Sequence, residues 1–480
     1  MERLTGLDAS FLYLETGTQH LHVCALIILD PTAEGCAYSF DSFKAELGRR
    51  IAHVPQMRRR LRQVPLNLDH PLWVEDADFD LDYHIRRYGL PRPGGRKELA
   101  DLVGDIAGTP MDRDKPLWQM RVVEGVDGDK IAVIAKYHHA AVDGITGADM
   151  LMHLCDLEPG GRKSEQATRR RADAEPSDLR LMADAVVRFP ARVGVLGMVP
   201  KTLGMLAGFA RRRRHNESGM AVPLTAPRTP FNRTITPHRA VAFTEVDLDI
   251  VREIKDAFGV KVNDVVLAVV GDALREYLIA HEALPDRSLL AAVPVSVHES
   301  TRHTEGTNKV SSLFCALGTD IADPVERLAA VAEANKDAKD EHELIGADFL
   351  QDWAKYVPPN TFRLAMRLYS SFELAEHTPV VHNLVVSNVP GPPMPLYFLG
   401  VKMVSMFPFG PVFHGAGLTV TALSITGRLD FGLIACRELV PDVDALANAI
   451  PEAVRRLREA ATQHSRARTP ADQREAAGPA

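Results

Sequence analysis

At 480 residues, 46% of them hydrophobic and 25% charged, the chain is too long for a single growing core and has ordinary globular composition, so two domains are expected. The formal net charge of -7 excludes a chain whose main partner is nucleic acid; five scattered cysteines (Cys24, Cys36, Cys155, Cys315, Cys436) without Cys-x-x-Cys spacing exclude a disulfide scaffold and a structural zinc. No basic region followed by an apolar run opens the sequence, and Pro190, Arg192, Pro200 and Lys201 interrupt its best membrane-span candidate. A cytoplasmic protein is expected, with at most peripheral contact with the inner membrane or lipid inclusions.

In chain order, the apolar run His22 to Leu29 predicts a strand, and Asp41-Ser42 can cap a helix through about His53. A hairpin follows, with arms Trp118 to Gly125 and Lys130 to His138 around an Asp127-Gly128 turn, and then a helix from about Gly144 to Leu157. Between Pro159 and His238 the texture shifts to Gly, Pro and mixed charge, as in an interdomain connection. Its centre, Leu179 to Arg214, sets Leu, Val, Met and Phe among eight Lys or Arg and one acid, Asp184. Such a segment suits a helix on an anionic surface, or equally a linker helix that covers apolar surface of its own protein.

Beyond the connection, Asn263-Asp264 opens a helical pattern to about Ala280. Strands are expected at Ser288 to Val297, Val310 to Leu317, Asn383 to Val386, Leu418 to Ile425 and Leu429 to Ala435, with helices at Pro324 to Lys339, Phe349 to Phe372 and Val443 to about Ala461. The small, polar residues at the end read as disordered. The expected division is an N-terminal domain over 1–160, a basic helical linker over 161–238, a C-terminal domain over 239–465 and a tail over 466–480.

The sharpest motif is His138-His139-Ala140-Ala141-Val142-Asp143-Gly144, where a buried strand ends and a helix begins. Successive strand residues project to opposite faces, so one histidine serves chemistry and the other structure. A hydrogen-bonded core role is the plain reading of His138 and the weaker one for His139. No companion His-x-x-x-His or Cys cluster is present, so no metal is expected. A neutral imidazole can take the proton of a hydroxyl as the oxygen attacks an activated acyl carbon, and no Gly-x-Ser-x-Gly elbow offers an enzyme nucleophile in its place.

With this motif, and with Leu7-Asp8-Ala9-Ser10-Phe11, Pro116-Leu117-Trp118, Asn263-Asp264, Pro294-Val295-Ser296 and Asn388-Val389-Pro390-Gly391-Pro392 in order, the sequence resembles the bacterial wax ester synthase/diacylglycerol acyltransferases, relatives of chloramphenicol acetyltransferase-like proteins. The resemblance implies an α+β fold of two CoA-dependent acyltransferase-like domains, each a mixed sheet with flanking helices, around a central channel. It implies long-chain acyl-CoA as a substrate with no cofactor, and diacylglycerol or a long-chain alcohol as acceptor. His139 matches the family's general base, Asp143 a shape-holding residue, and Gly144 the start of a closely packed helix. Pro116, Leu117, Trp118, Asn263, Asp264, Asn388, Pro390 and Gly391 match residues near the channel, although a helix cap for Asn263, core packing for Pro116 to Trp118 and a plain turn at Pro390-Gly391 account for them equally well.

Several positions depart from the family pattern: Gly306-Thr307-Asn308 for an expected Gly-Asn, His298 where arginine is frequent, and Thr419 and Ile425 where Asn and Tyr are frequent. Two other readings share the motif. One is a freestanding peptide-condensation domain, for which no carrier segment is evident; the other is a catalytically weak protein that binds lipid surfaces.

Overall fold

The computed structural model describes residues 2–141, 153–160, 175–188, 224–296, 310–345 and 358–475. The strands Trp118–Val126 and Lys130–His138 form the expected hairpin, turned at Gly128 and Asp129, both with positive φ, while the Asp127 carboxylate accepts the Gly128 N–H at 2.9 Å. His22–Asp30 pairs antiparallel along its other side, with His22 opposite His138. The full seven-stranded sheet runs Ile85–Gly89, Trp118–Val126, Lys130–His138, His22–Asp30, Val401–Phe409, Tyr397–Phe398, Cys155–Asp156.

Strand alternation gives this sheet two apolar faces. Ile27, Leu29, Met120, Val122 and Val133 pack toward the helix Phe40–Ile51, whose Phe43, Leu47 and Ile51 are buried. Leu26, Ile28, Ala132 and Ile134 pack toward Arg96–Gly108, together with Val241, Phe243 and Ile434 from the second sheet.

The second sheet runs Val310–Ala316, Leu290–Ser296, Leu384–Pro390, Leu418–Ile425, Arg428–Cys436, Arg239–Asp247, with parallel pairing on both sides of Leu384–Pro390. Helices Leu248–Phe258, Val262–Ala280, Pro324–Ile345 and Val443–Glu475 close one face of it. Val262–Ala280 is apolar on nearly every side because it is enclosed on nearly every side. Of its two buried acids, Asp264 and Asp272, the second is shared between Arg327 and Arg456, the latter at 2.5 Å.

Two crossings join the sheets. The Val401–Phe409 strand passes over Arg428–Cys436 so closely that a Cβ on Gly432 would lie 2.0 Å from the Pro408 carbonyl oxygen. At the second, a Cβ on Gly104 would lie 2.6 Å from the Arg239 oxygen. Glycine is required at both positions for close approach.

The structure departs from the sequence expectations in four places. Tyr397–Phe398 and Val401–Phe409, placed by chain order in the 239–465 domain, complete the first sheet by pairing with Cys155–Asp156 and His22–Asp30. Cys155–Asp156 is itself a strand, so the helix expected to reach Leu157 ends before it; 142–152 lie outside the described residues. Ser39, not Asp41-Ser42, caps the Phe40–Ile51 helix, its hydroxyl accepting from the Ser42 N–H. The segment read as a helical linker, 161–238, holds the helix Asp178–Arg188, and its stretches 161–174 and 189–223 lie outside the described residues. The last helix continues to Glu475, through most of the region read as a disordered tail; helix-forming Ala, Arg, Gln and Glu carry it past Thr469-Pro470.

Candidate active site

Alternation along Lys130–His138 places His138 on the same face as Lys136, opposite His22 of the neighbouring strand. The His138 side chain is 1% exposed. Its Nδ1 accepts the Ala140 N–H at 3.0 Å, so the ring proton resides on Nε2, which lies 3.2 Å from Glu15 Oε1. The same carboxylate accepts the Leu21 N–H at 2.9 Å and an Arg113 N–H at 2.5 Å, and stands 3.7 Å from His22 Nε2. Burial by itself would raise the Glu15 carboxyl. The His138 contact and the Arg113 guanidinium outweigh it and hold the group far below the usual carboxylate range.

At His139 the chain turns. Its N–H donates to the Leu21 carbonyl at 2.8 Å, and the Ala141 N–H returns to the His138 carbonyl at 2.9 Å. The His139 ring is half-buried and stacks on Phe11, with centroids 4.1 Å apart and planes at 21°. Phe11 is delivered by the helix Gly6–Leu14, which Thr5 caps by accepting the Asp8 N–H at 3.1 Å. The Leu7 to Phe11 stretch thereby has a physical role: it builds the helix that faces the motif histidine. Asp143 and Gly144 lie outside the described residues, as do His298 and 306–308.

Around this turn the two halves are tied by polar contacts. Gln19 Oε1 accepts the His414 N–H at 2.7 Å, and Arg239 donates to the Thr18 carbonyl at 2.6 Å. Burial pushes His20 and His414 down to about 4 and His22 well below its ordinary value, so the imidazoles beneath the motif are neutral at pH 7. Burial likewise lowers Lys136 to about 8; its ammonium is held by the Ile106 carbonyl at 2.8 Å and by the Thr109 carbonyl.

The remaining candidates separate into those brought near the motif and those placed elsewhere. Leu117 flanks it: its carbonyl accepts the His138 N–H at 3.0 Å, and its side chain packs with Leu12, Tyr13 and Ala140. Pro116 is buried and accepts the Trp118 N–H at 2.8 Å. Trp118 does not line a channel wall. Alternation turns it into the core of the first sheet, where its indole donates to the Met57 carbonyl at 2.7 Å and stacks on His84 at 4.4 Å.

Asn263 and Asn388, 125 positions apart, meet at 3.4 Å. Asp264 turns away into the protein, accepting from the Lys261 N–H at 2.9 Å and from Asn335 at 2.5 Å; the capping carboxylate is its own, not Asn263's amide. Pro390 is exposed at the end of its strand. Gly391 donates to Ser424 Oγ at 3.2 Å, where a Cβ would stand 2.3 Å from the Ser424 carbonyl oxygen. Of the two departures inside the second sheet, the Thr419 hydroxyl donates to the Pro411 carbonyl at 2.7 Å, and Ile425 is buried in the core of the first sheet. Sequence reasoning missed Glu15, Arg113 and the stacking role of Phe11. A lone acid one residue beyond an apolar helix was their only trace.

Two mixed sheets, the first completed by strands from the C-terminal half, with a His-His turn at a strand end, define the condensation and acyltransferase class of fold. The first condensation domain of the calcium-dependent antibiotic synthetase has this fold at 13% identity, with a TM-score of 0.54 and 96% of each chain covered. The catalytic-domain profile of the wax ester synthase/diacylglycerol acyltransferases matches residues 4–266 and the C-terminal-domain profile matches 306–458. An inferred diacylglycerol O-acyltransferase of Mycobacterium tuberculosis is 42% identical over 96% of this chain and 90% of its own. The wax ester synthase/diacylglycerol acyltransferase of Marinobacter aquaeolei VT8 superposes with a TM-score of 0.68 at 26% identity, over 96% of this chain and all of that one. The chain belongs to the wax ester synthase/diacylglycerol acyltransferase family.

Proposed function

We propose that this protein transfers the fatty acyl group of a long-chain acyl-CoA to the free hydroxyl of diacylglycerol, and to long-chain alcohols as secondary acceptors, with His139 as general base. The observation that carries this is the His139 ring: half-buried at the end of a buried strand, pinned through its backbone and stacked on Phe11, in a chain whose relatives are named for that reaction. The acceptor hydroxyl gives its proton to the imidazole as its oxygen attacks the thioester carbonyl. The tetrahedral oxyanion then collapses, the carbon–sulfur bond breaks, and the imidazolium returns the proton to the departing CoA thiolate. Ester and free thiol leave, and no enzyme nucleophile or resident cofactor takes part.

In this reading His138 is the structural partner, held by Glu15, and Asp143 has the structural rather than proton-relaying role that its family match implies. Acyl-CoA and acceptor meet in a channel between the halves, and the lipid acceptor is met at a membrane or lipid-inclusion surface. Among the described residues no helix is long and apolar enough to cross a membrane. The test is product analysis of purified protein given labelled palmitoyl-CoA with diacylglycerol, hexadecanol or a carrier-bound amino acid. Triacylglycerol should predominate, and His139→Ala should slow its formation about 100- to 10,000-fold. Full turnover by that variant, or amide formation in place of ester, would overturn the proposal.

A further inference from the structure

The turn Pro65–Asn67 holds Leu66 at φ 57° with its side chain 72% exposed. A leucine enters the left-handed region only against steric cost, and here the reward is not burial. The turn is nevertheless firmly held: the Asn67 N–H donates to the Val64 carbonyl at 2.9 Å, and Asn360 donates to the Leu66 carbonyl at 2.9 Å. An apolar side chain is thus presented outward by design of the backbone.

Asn360 begins a ridge. On the helix Pro359–Ser371, Leu364 and Leu368 follow at steps of four, Phe372 caps the helix one step further, and all three are exposed. Phe362, on the opposite side, packs edge-on to Tyr13 of Gly6–Leu14, the helix whose Phe11 stacks on His139. The ridge is therefore the outer face of a wall whose inner face supports the motif. On the other side of the turn, Asp178–Arg188 buries Leu181 and Ala185 against Val64 and Leu72 but leaves Leu179, Val186 and Val187 outside.

Charge accompanies the apolar groups. Arg363 and Arg367 lie at intervening steps of the ridge helix, and burial together with the neighbouring Arg113 and Arg367 lowers Arg363. Arg180 and Arg188 are exposed beside Leu179 and Val187. Glu175 and Asp178 are engaged by Arg60 and Arg62, and the other exposed acid of the Asp178–Arg188 helix, Asp184, is outnumbered by Arg180 and Arg188, which leaves the face with a cationic excess. Exposed apolar side chains of this extent, ringed by arginine, mark a contact surface, and the arginines select a negatively charged one.

We propose that this face, with Leu66 at its apex and the Leu364, Leu368 and Phe372 ridge beside it, seats the protein on a bilayer surface bearing anionic phospholipid headgroups. The location of the contact rests on the surface geometry; its purpose rests on the acyl-transfer reading, because the lipid acceptor is then met next to the wall that supports His139.

The test is co-sedimentation of the full chain with phosphatidylcholine vesicles, with and without phosphatidylglycerol, alongside esterification of a vesicle-borne diacylglycerol and of a water-soluble short-chain alcohol. Leu66→Asn suits the left-handed backbone and removes only the apolar group, so it should fold normally and bind anionic vesicles about tenfold more weakly. Arg180→Glu with Arg188→Glu should abolish the preference for phosphatidylglycerol. Ile279→Asp, on an exposed apolar residue of a different helix, should change nothing. The Leu66 variant should lose turnover on vesicle-borne acceptor and keep it on the soluble alcohol. Wild-type vesicle binding by Leu66→Asn, no vesicle binding by the wild type, or a concentration-dependent dimer that Leu66→Asn dissolves overturns the surface and leaves acyl transfer standing. Vesicle binding without esterification of any acceptor overturns acyl transfer and leaves the surface standing.

Discussion

Glu15→Gln tests how the motif is held. The carboxylate binds His138 Nε2 at 3.2 Å, the Leu21 N–H and Arg113, and His138 in turn binds the Ala140 N–H, so one side chain anchors both sides of the turn that presents His139. Glutamine keeps the shape and one acceptor but not the charge. Removing one member of a buried ion pair costs about 3–5 kcal/mol, and since Arg113 is 28% exposed water recovers part of this, leaving about 2 kcal/mol. For a protein of this size that lowers Tm by roughly 2–4 °C. A displacement of His139 approaching about 1 Å should cut kcat about 10- to 100-fold while KM for acyl-CoA stays within about twofold. Because the folded carboxyl lies below its ordinary value of 4.5, its stabilisation is complete above that pH and is lost as pH falls further. The assays are steady-state kinetics with varied acyl-CoA and Tm against pH for both proteins. If the variant keeps wild-type kcat and the same loss of Tm below about pH 4.5, Glu15 does not anchor the motif.

Three further outcomes follow from the packing and the buried charges. Gly432→Ala drives a Cβ to 2.0 Å from the Pro408 carbonyl oxygen and should cost about 3 kcal/mol or more; an unchanged thermal melt would mean the strands do not cross so tightly. His20, His382 and His414, each held near 4 by burial, refuse protons that the unfolded chain accepts, so Tm should fall as pH drops from about 6.5 toward 4, and a flat profile across that window would contradict their burial. Asp430 has the opposite sign: burial raises it to about 6, so its contribution is fully present below 3.8 and is lost as pH rises through 6. Asp430→Asn, which can still accept the Met406 N–H, should therefore raise Tm at pH 8 relative to wild type and do little at pH 3.5; the reverse ordering would refute this.

What the sequence by itself determined is local chemistry and local period. Apolar runs marked His22–Asp30, the Trp118–His138 hairpin and the Leu418–Cys436 pair within a residue or two, because each is set by neighbours along the chain and by turn residues such as Gly128 and Gly427. The two histidines could be sorted into one facing inward and one departing, because the strand period is two. Only the tertiary structure decided which residues from distant segments share a surface. Val401–Phe409 entered the first sheet although chain order assigned it to the second domain, since strand pairing is selected by matching edges and faces in space. Trp118 was drawn into the core and Glu15 was drawn under His138 for the same reason: burial and charge pairing are pairwise energies between residues that the chain keeps 61 and 123 positions from their partners Met57 and His138, and no local pattern records them.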